Sequence, residues 1–330
     1  MTTIIDLAHA ANVSKTTISR YLNGEAKGHI SATTQERIKI AIKELNYRPN
    51  EIARELKGTR TKCVGIIIND LMNPFFLPML RGIESKLRAA DYTMMVCNSD
   101  MDVIRETEIL KMLDQKRVEG IIIIGLNMPA EHVSRLNIQA PIVLFERDEE
   151  EYRYDSLKID NKKGVNLAVK HLVKKGYRRI AHIKGTNNAI SNERAATFIK
   201  CMEQNNMFVR DEFIVSGDYK MEKAYWATAR LFELNTKPDA IFCSNDMMAF
   251  GAMRYLLEHH YKIPEDVAII GYDDIDMAKV VTPALTTVRQ PVLQLAQTGT
   301  DILLKRILKE KLPGRQDIAL EPELIIRQSS

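Results

Sequence analysis

Polar side chains recur at one kind of place in this 330-residue chain, just after short apolar runs. Asn69 and Asp70 follow the run Cys63 to Ile68, and Asn73-Pro74-Phe75-Phe76 comes next. Glu146 and Arg147 follow Phe145, and Lys184 follows Ile183. Ser244, Asn245 and Asp246 follow Cys243, and Asp273 and Asp274 follow Gly271-Tyr272. Carboxylates, amides and cations converging on a cleft can hydrogen-bond a polar small molecule. Taken singly, each is an ordinary helix cap or solvated loop residue, and for Asn245 and Asp273 capping is the plain reading. Repetition in both halves of the chain points to a shared cleft. The sequence has no G-x-G-x-x-G, no G-x-x-x-x-G-K-[ST], no G-x-S-x-G and no H-E-x-x-H. Asp273, Asp274 and Asp276 lack the spacing of a calcium loop. No catalytic centre, cofactor or metal is expected.

A second chemical group lies near the N-terminus. Lys15, Thr16 and Arg20 fall off the apolar face marked by Ile18 and Leu22, where a helix could present them to base edges and phosphates. Charge agrees. Residues 1–62 hold 11 Lys and Arg against 6 Asp and Glu, and the rest of the chain holds 36 against 37. The whole positive excess therefore sits in the first fifth, as in a polyanion-binding module joined to a neutral body.

The elements that must position these groups follow from pattern. Thr3-Ile4-Ile5-Asp6 has the form of a capped helix start. Ile4, Leu7, Ala8 and Ala11 share one helical face, and Asn12 suits a sharp turn. Ser14 can cap a second helix, with Val13 and Ile18 spaced as a hydrophobic staple. Thr33 to Glu36 reads as a further cap, followed by Ile38, Ala41, Ile42 and Leu45 on one face. Two short helices joined by a turn, then a third, make a helix-turn-helix unit. Pro49 ends that unit, since Arg48 before it is pushed out of the helical region. Asn50 can cap a helix of about two turns ending at Gly58, too short to persist alone in water. A segment of that kind in a basic linker fits ordering against DNA, with a leucine as a minor-groove wedge. From Cys63 onward strands alternate with helices: strands at 63–68, 92–97, 120–124, 141–145, 179–183, 213–215, 240–243 and 267–270, and helices at 75–90, 103–116, 163–175, 193–205, 222–234 and 247–259. That alternation predicts parallel sheets covered by helices on both faces, and its length predicts two of them. Such sheets bind ligands beyond the carboxyl ends of their strands.

The longest apolar run, Gly120 to Leu126, is far shorter than the roughly 20 residues of a membrane-spanning helix. No basic, apolar leader opens the chain, and the four cysteines form no C-x-x-C pair, so a cytoplasmic protein with free thiols is expected.

Several segments resemble one family. Ile5-Asp6-Leu7-Ala8, Asn12 to Gly24, and Leu45-Asn46-Tyr47-Arg48-Pro49-Asn50 with Ala53, Arg54 and Leu56 resemble the headpiece and hinge of the lactose-repressor (LacI/GalR) family. Asn73 to Phe76, Lys116 to Ile121, Ile159-Asp160-Asn161, Gly176 to Ile180, Glu193-Arg194, Ser244 to Ala249, Ile270 to Asp274 and Pro283 to Pro291 resemble its body, in the same order. The resemblance implies a small all-α helix-turn-helix headpiece (1–49) and a hinge helix with linker (50–62). It further implies an α/β periplasmic-binding-protein-like body of two Rossmann-like subdomains (63–160 with 291–318, and 161–290 with 319–330). It implies a transcriptional repressor that binds pseudo-palindromic operator DNA as a homodimer under control of a small-molecule effector. The residues implied for DNA are Lys15, Thr16, Thr17, Arg20, Asn23, Asn50, Ala53 and Leu56, Leu56 being the wedge. Those implied for the effector are Phe75, Arg147, Asp160, Lys184, Arg194, Tyr219, Asn245 and Asp273. The chain departs from the family at Asn12 and Thr197, where glycine is usual, in a longer loop at 25–30, and at Lys184, where small residues are common. Lys184 with Arg194 raises the expectation of an acidic effector, such as a sugar acid, beside that of a neutral sugar. With no leucine-heptad tail after Ser330, a dimer is expected and not a tetramer.

Overall fold

A computed structural model describes residues 2–22, 26, 28–47, 60–147 and 153–330. The chain divides into two compact units, Met1–Thr61 and Lys62–Ser330. Asn23, Asn50, Ala53, Leu56 and the expected hinge helix lie outside the described residues.

In the first unit, α1 spans Ile4–Ala10, α2 Lys15–Leu22 and α3 Ala32–Glu44. Thr3 and Asp6 form a reciprocal capping box at the start of α1. Asn12 takes the left-handed conformation (φ 50°), which turns the chain after Ala11. Ser14 Oγ accepts from the Thr17 amide at 3.1 Å and opens α2. The cap of α3 differs from expectation. Ser31, in extended conformation, accepts from the Thr34 amide, so the cap lies two residues before the one expected at Thr33. Leu7, Ala8, Ala11, Ile18, Ile38 and Ala41 are the buried centre of this unit, with Val13, Leu22, Ile42 and Leu45 packed around them. Fully burying a side chain such as Ile18 contributes roughly 1.5–3 kcal/mol, and so few of them hold a small unit.

The second unit contains two six-stranded sheets. The chain builds the first with β1 (Cys63–Ile68), α4 (Phe76–Ala89), β2 (Thr93–Asn98), α5 (Val103–Gln115), β3 (Gly120–Ile124), α6 (Ala130–Arg135), β4 (Ile142–Phe145) and β5 (Asp155–Ile159). It then crosses to the second: α7 (Asn161–Lys174), β6 (Ile180–Lys184), α8 (Ala189–Gln204), β7 (Ile214–Ser216), α9 (Met221–Glu233), β8 (Ala240–Cys243), α10 (Asp246–Glu258), β9 (Ala268–Asp273) and β10 (Thr286–Arg289). It returns through α11 (Val292–Ile307) and β11 (Asp317–Leu320), and ends in the second sheet with β12 (Glu323–Ile325). Sheet orders are β11-β5-β4-β3-β1-β2 and β12-β10-β9-β8-β6-β7. Every pairing in the first sheet is parallel. In the second, only β12 runs antiparallel, against β10.

Buried-on-both-faces strands explain the apolar runs: β3, Gly-Ile-Ile-Ile-Ile, is wholly buried. Three crossovers join the sheets, at 159–161, 289–292 and 320–323. β11 runs to Leu320 in the first sheet, two residues past the boundary expected at 318. Helix α8 starts at Ala189 because Asn188 Oδ1 caps it through the Ser191 amide, four residues before the expected start at Glu193. Among the described residues, no helix is long and apolar enough to cross a membrane.

Candidate effector cleft and DNA-reading face

The strands of each sheet end at one cavity, open at the mouth. The first sheet supplies Asn69, Asp70, Asn73, Phe75 and Phe76 after β1, Met101 after β2, Ile124 and Gly125 at β3, and Glu146 after β4. The second supplies Asn188, Ile190 and Arg194 after β6, Tyr219 after β7, Asn245 after β8, Asp273 at the end of β9, and Gln290 after β10. Placement beyond carboxyl ends follows from parallel strands feeding loops to one edge. Four non-glycine lining residues have positive φ: Met101 (60°), Glu146 (59°), Tyr219 (60°) and Asp273 (123°). Held conformations of this kind concentrate at binding sites, where they aim a side chain that an ordinary strand end would not.

Arg194 lies at the centre of the site. Its Nε donates to Asn161 Oδ1 at 2.8 Å and an Nη donates to the Ser244 carbonyl at 2.7 Å. Its guanidinium stacks 3.7 Å from the Tyr272 ring centroid. These partners are neutral, so Arg194 keeps its full charge inside a buried site. Glu146 is buried, and burial pushes its carboxyl up to about 7 against the pull of Arg194 and the Ile159 amide. Asp273 is likewise raised well above the usual carboxylate range by burial and by nearby Asp246, while Arg194 and the Gln290 amide pull it down. Asp246 is raised to about 7 by burial; it accepts from Thr287 Oγ1 and the Ile275 amide. The lining thus carries three carboxyls (Asp70, Glu146, Asp273) against one guanidinium. Phe75 and Phe76, edge-to-face at 5.2 Å, and Tyr219 supply apolar wall.

In the first unit, Lys15, Thr16 and Arg20 are exposed on α2, opposite buried Ile18. Thr17 is half-buried, its hydroxyl 2.9 Å from Ser14 Oγ. A helix seated on its apolar stripe and presenting two cations and a hydroxyl has the chemistry to meet phosphates and base edges.

Residues 3–50 match the bacterial regulatory proteins of the lacI family, and residues 169–330 match the periplasmic binding protein-like domain. The chain is 32% identical to the HTH-type transcriptional repressor PurR of Aliivibrio salmonicida, over all of this chain and 99% of that protein. The chain belongs to the lacI family. It is a DNA-binding transcriptional repressor and not an enzyme. Its fold is that of the lac repressor dimer bound to operator and an anti-inducer, with TM-score 0.89, 26% identity, and coverage of 99% of this chain and 98% of that one. A complex of the transcriptional regulator CelR with cellobiose is also similar, with TM-score 0.76, 26% identity, and full coverage of both chains.

Of the residues that family resemblance implies for the effector, Phe75, Arg194, Tyr219, Asn245 and Asp273 line the cavity. Asn245 does so while capping α10 through the Met248 amide, so its two readings coexist. Arg147, Asp160 and Lys184 do not line it. Arg147 donates to the Leu126 carbonyl at 2.7 Å, and Asp160 caps α7 through the Lys163 amide. Lys184 closes β6, and beyond it Tyr219 packs so tightly on Gly185 that a Cβ there would strike the ring. Glu146, Asn188, Gln290 and Met101 line the cavity although the family motifs did not single them out. For Glu146 the strand-end position after Phe145 was the available signal.

Proposed function

We propose that this lacI-family repressor is a cytoplasmic homodimer that binds a pseudo-palindromic operator and is released from it by a neutral, hydroxyl-rich sugar held in the cleft. On this reading residues 1–49 are the headpiece, 50–62 the hinge and linker, and 63–330 the effector and dimerisation body, split near 160, 290 and 318. Lys15, Thr16, Thr17 and Arg20 read and grip the major groove with Asn23. Asn50, Ala53 and Leu56 act at the minor groove. The lac repressor neighbour, a dimer on operator, supports this arrangement.

The observation that carries the effector class is the lining charge. Three carboxyls face one guanidinium whose Nε and one Nη are bonded to neutral groups, and Lys184, the cation that raised the sugar-acid expectation, is elsewhere. Carboxyl and amide oxygens accept hydroxyl donors, and a single guanidinium already bonded to neutral groups offers an anion little to pair with. The aromatic wall suits the apolar face of a sugar ring. The cellobiose complex of the CelR neighbour supports a carbohydrate in such a cleft. Effector contacts made in only one arrangement of the two subdomains shift that equilibrium and alter the spacing of paired hinges.

The test is a thermal-shift screen of neutral sugars and sugar acids on the full chain, followed by operator bandshift with the hits. A ligand that binds only the native state raises the melting temperature. Neutral sugars are expected to raise it and to release operator. Equal or larger shifts with sugar acids would overturn the charge argument.

A further inference from the structure

His182 lies in the middle of β6, fully buried, and does not line the cleft. Its ring is stacked between those of Phe198 and Phe242, with centroids 5.0 Å away on either side. Nδ1 is 3.0 Å from the Phe242 carbonyl oxygen, and Nε2 is 3.3 Å from Ser244 Oγ. A carbonyl can only accept, so Nδ1 carries a proton. Burial, helped by the charges of Arg194 and Lys184, pulls the ring down to about 4 against the Phe242 bond, so the imidazole is neutral and Nε2 is bare. A bare ring nitrogen can only accept, so the Ser244 hydroxyl donates to it. Ser244 is also fully buried, and it stands on the short turn between β8 and α10, past the last paired residues of β6 and β8. Its carbonyl accepts from an Arg194 Nη at 2.7 Å. One chain of hydrogen bonds therefore runs from the Phe242 carbonyl through His182 and Ser244 to the guanidinium.

We infer that His182 is a positioning residue for Arg194: through its bare Nε2 it fixes the Ser244 turn, whose carbonyl sets the guanidinium. That Arg194, once set, meets the effector rests on the reading of the cleft given above. A buried histidine can also serve as filling between two phenylalanines, a role that needs the flat ring and neither nitrogen. Two substitutions pull these roles apart. His182→Phe keeps a flat ring for the stack and leaves the Ser244 hydroxyl with no acceptor. His182→Gln loses the stack and offers an amide oxygen near the place of Nε2.

The experiment uses the full chain, labelled with nitrogen-15 in its histidines and arginines and observed by NMR. In wild type, the His182 ring is expected to show a protonated Nδ1 and a bare Nε2. The Nε–H signal of Arg194, identified by its absence from Arg194→Lys, should exchange slowly with solvent. His182→Phe and Ser244→Ala should each move that signal and speed its exchange about tenfold or more, the scale of a lost hydrogen bond to a charged group. His182→Gln should leave it near its wild-type position and rate, although the variant melts lower. A filling role gives the reverse order, with His182→Gln disturbing Arg194 and His182→Phe sparing it. That order, a wild-type ring protonated on Nε2, or an Arg194 signal unmoved in both His182→Phe and Ser244→Ala overturns the inference. The neutral sugar giving the largest thermal shift in a panel of ribose, glucose and cellobiose is then titrated by calorimetry. Its affinity should fall about tenfold in His182→Phe and be kept in His182→Gln. If no sugar of the panel shifts wild type, the reading of the cleft as a sugar site falls, and the arginine signal alone still decides the role of His182.

Discussion

Glu146→Gln should remove a pH dependence from the stability of the body. Glu146 titrates near 7 in the folded protein against 4.5 for the ordinary side chain. The folded state therefore holds a proton that the unfolded chain releases between those values. With the native state binding more protons, stability falls as pH rises through this window, and the burial cost is fully expressed above pH 7. A gap of about 2.5 units is worth about 3 kcal/mol at 1.36 kcal/mol per unit. Glutamine keeps the acceptor that Ile159 N–H uses at 3.1 Å and carries no charge. The variant should thus gain up to about 3 kcal/mol over wild type on moving from pH 5 to pH 8, roughly 6–12 °C in the body's melting transition. Asp246 titrates in the same window but is present in both proteins, so it cancels in the difference. Calorimetric melts of the full chain at pH 5, 6, 7 and 8 read the effect. A wild-type-to-variant difference that stays constant across pH would refute the assignment of a shifted proton to Glu146.

Three further outcomes are expected. Arg194→Ala should leave operator binding in bandshift intact and abolish release by sugar; normal release would remove Arg194 from the effector site. Leu56→Ala should weaken operator affinity far more than affinity for nonspecific DNA, measured at one salt concentration; an equal loss on both would remove the wedge role. Gly251→Ala places a Cβ against the Met221 carbonyl and the Tyr225 amide, backbone atoms of α9 that cannot swing aside. It should destabilise the body by about 3 kcal/mol, read as a lowered denaturation midpoint without change in slope.

The legible parts of the fold were those with a local signal. Ile-rich β3 and the periodic faces of α1 to α3 announce themselves because burial selects apolar residues at a fixed period. β5 did not, because Asp155 and Lys158 break its apolar pattern. Asp155 is buried through a two-pronged bond with Arg306, a partner 151 residues away that no local window contains. The true cap of α3 was hidden because Ser31, Thr33 and Thr34 are all capping residues, and backbone conformation decides among them. In the site, Asn245 and Asp273 were legible from strand-end position. Gln290 was not, since a glutamine before a proline carries no local mark, and only the crossover brings it to Asp273. Lys184 stands at the end of β6, as its sequence position implies, but does not line the cavity.

The crossovers show why few contacts suffice for a switch. Glu146 accepts from Ile159 N–H, at the first crossover's near end, and Arg194 donates to Asn161 at its far end. Gln290 lies on the second, and Asp274, through Arg289 and Glu323, ties the second to the third. Three cavity residues thus reach every strand that joins the subdomains. Moving a two-state equilibrium from 1:99 to 99:1 takes about 5.5 kcal/mol of differential binding. A net hydrogen bond supplies about 0.5–1.5 kcal/mol, or about 1.5–3 when one partner is charged. With Glu146 protonated below about pH 7, Gln290, Glu146 and Arg194 offer two neutral contacts and one charged one, about 2.5–6 kcal/mol if made in only one arrangement, which reaches that figure only at its upper end. The arithmetic leaves little surplus. Losing the Gln290 contact alone should therefore leave a sugar that still binds but no longer fully releases operator, a partial response that sequential all-or-none contacts would not produce.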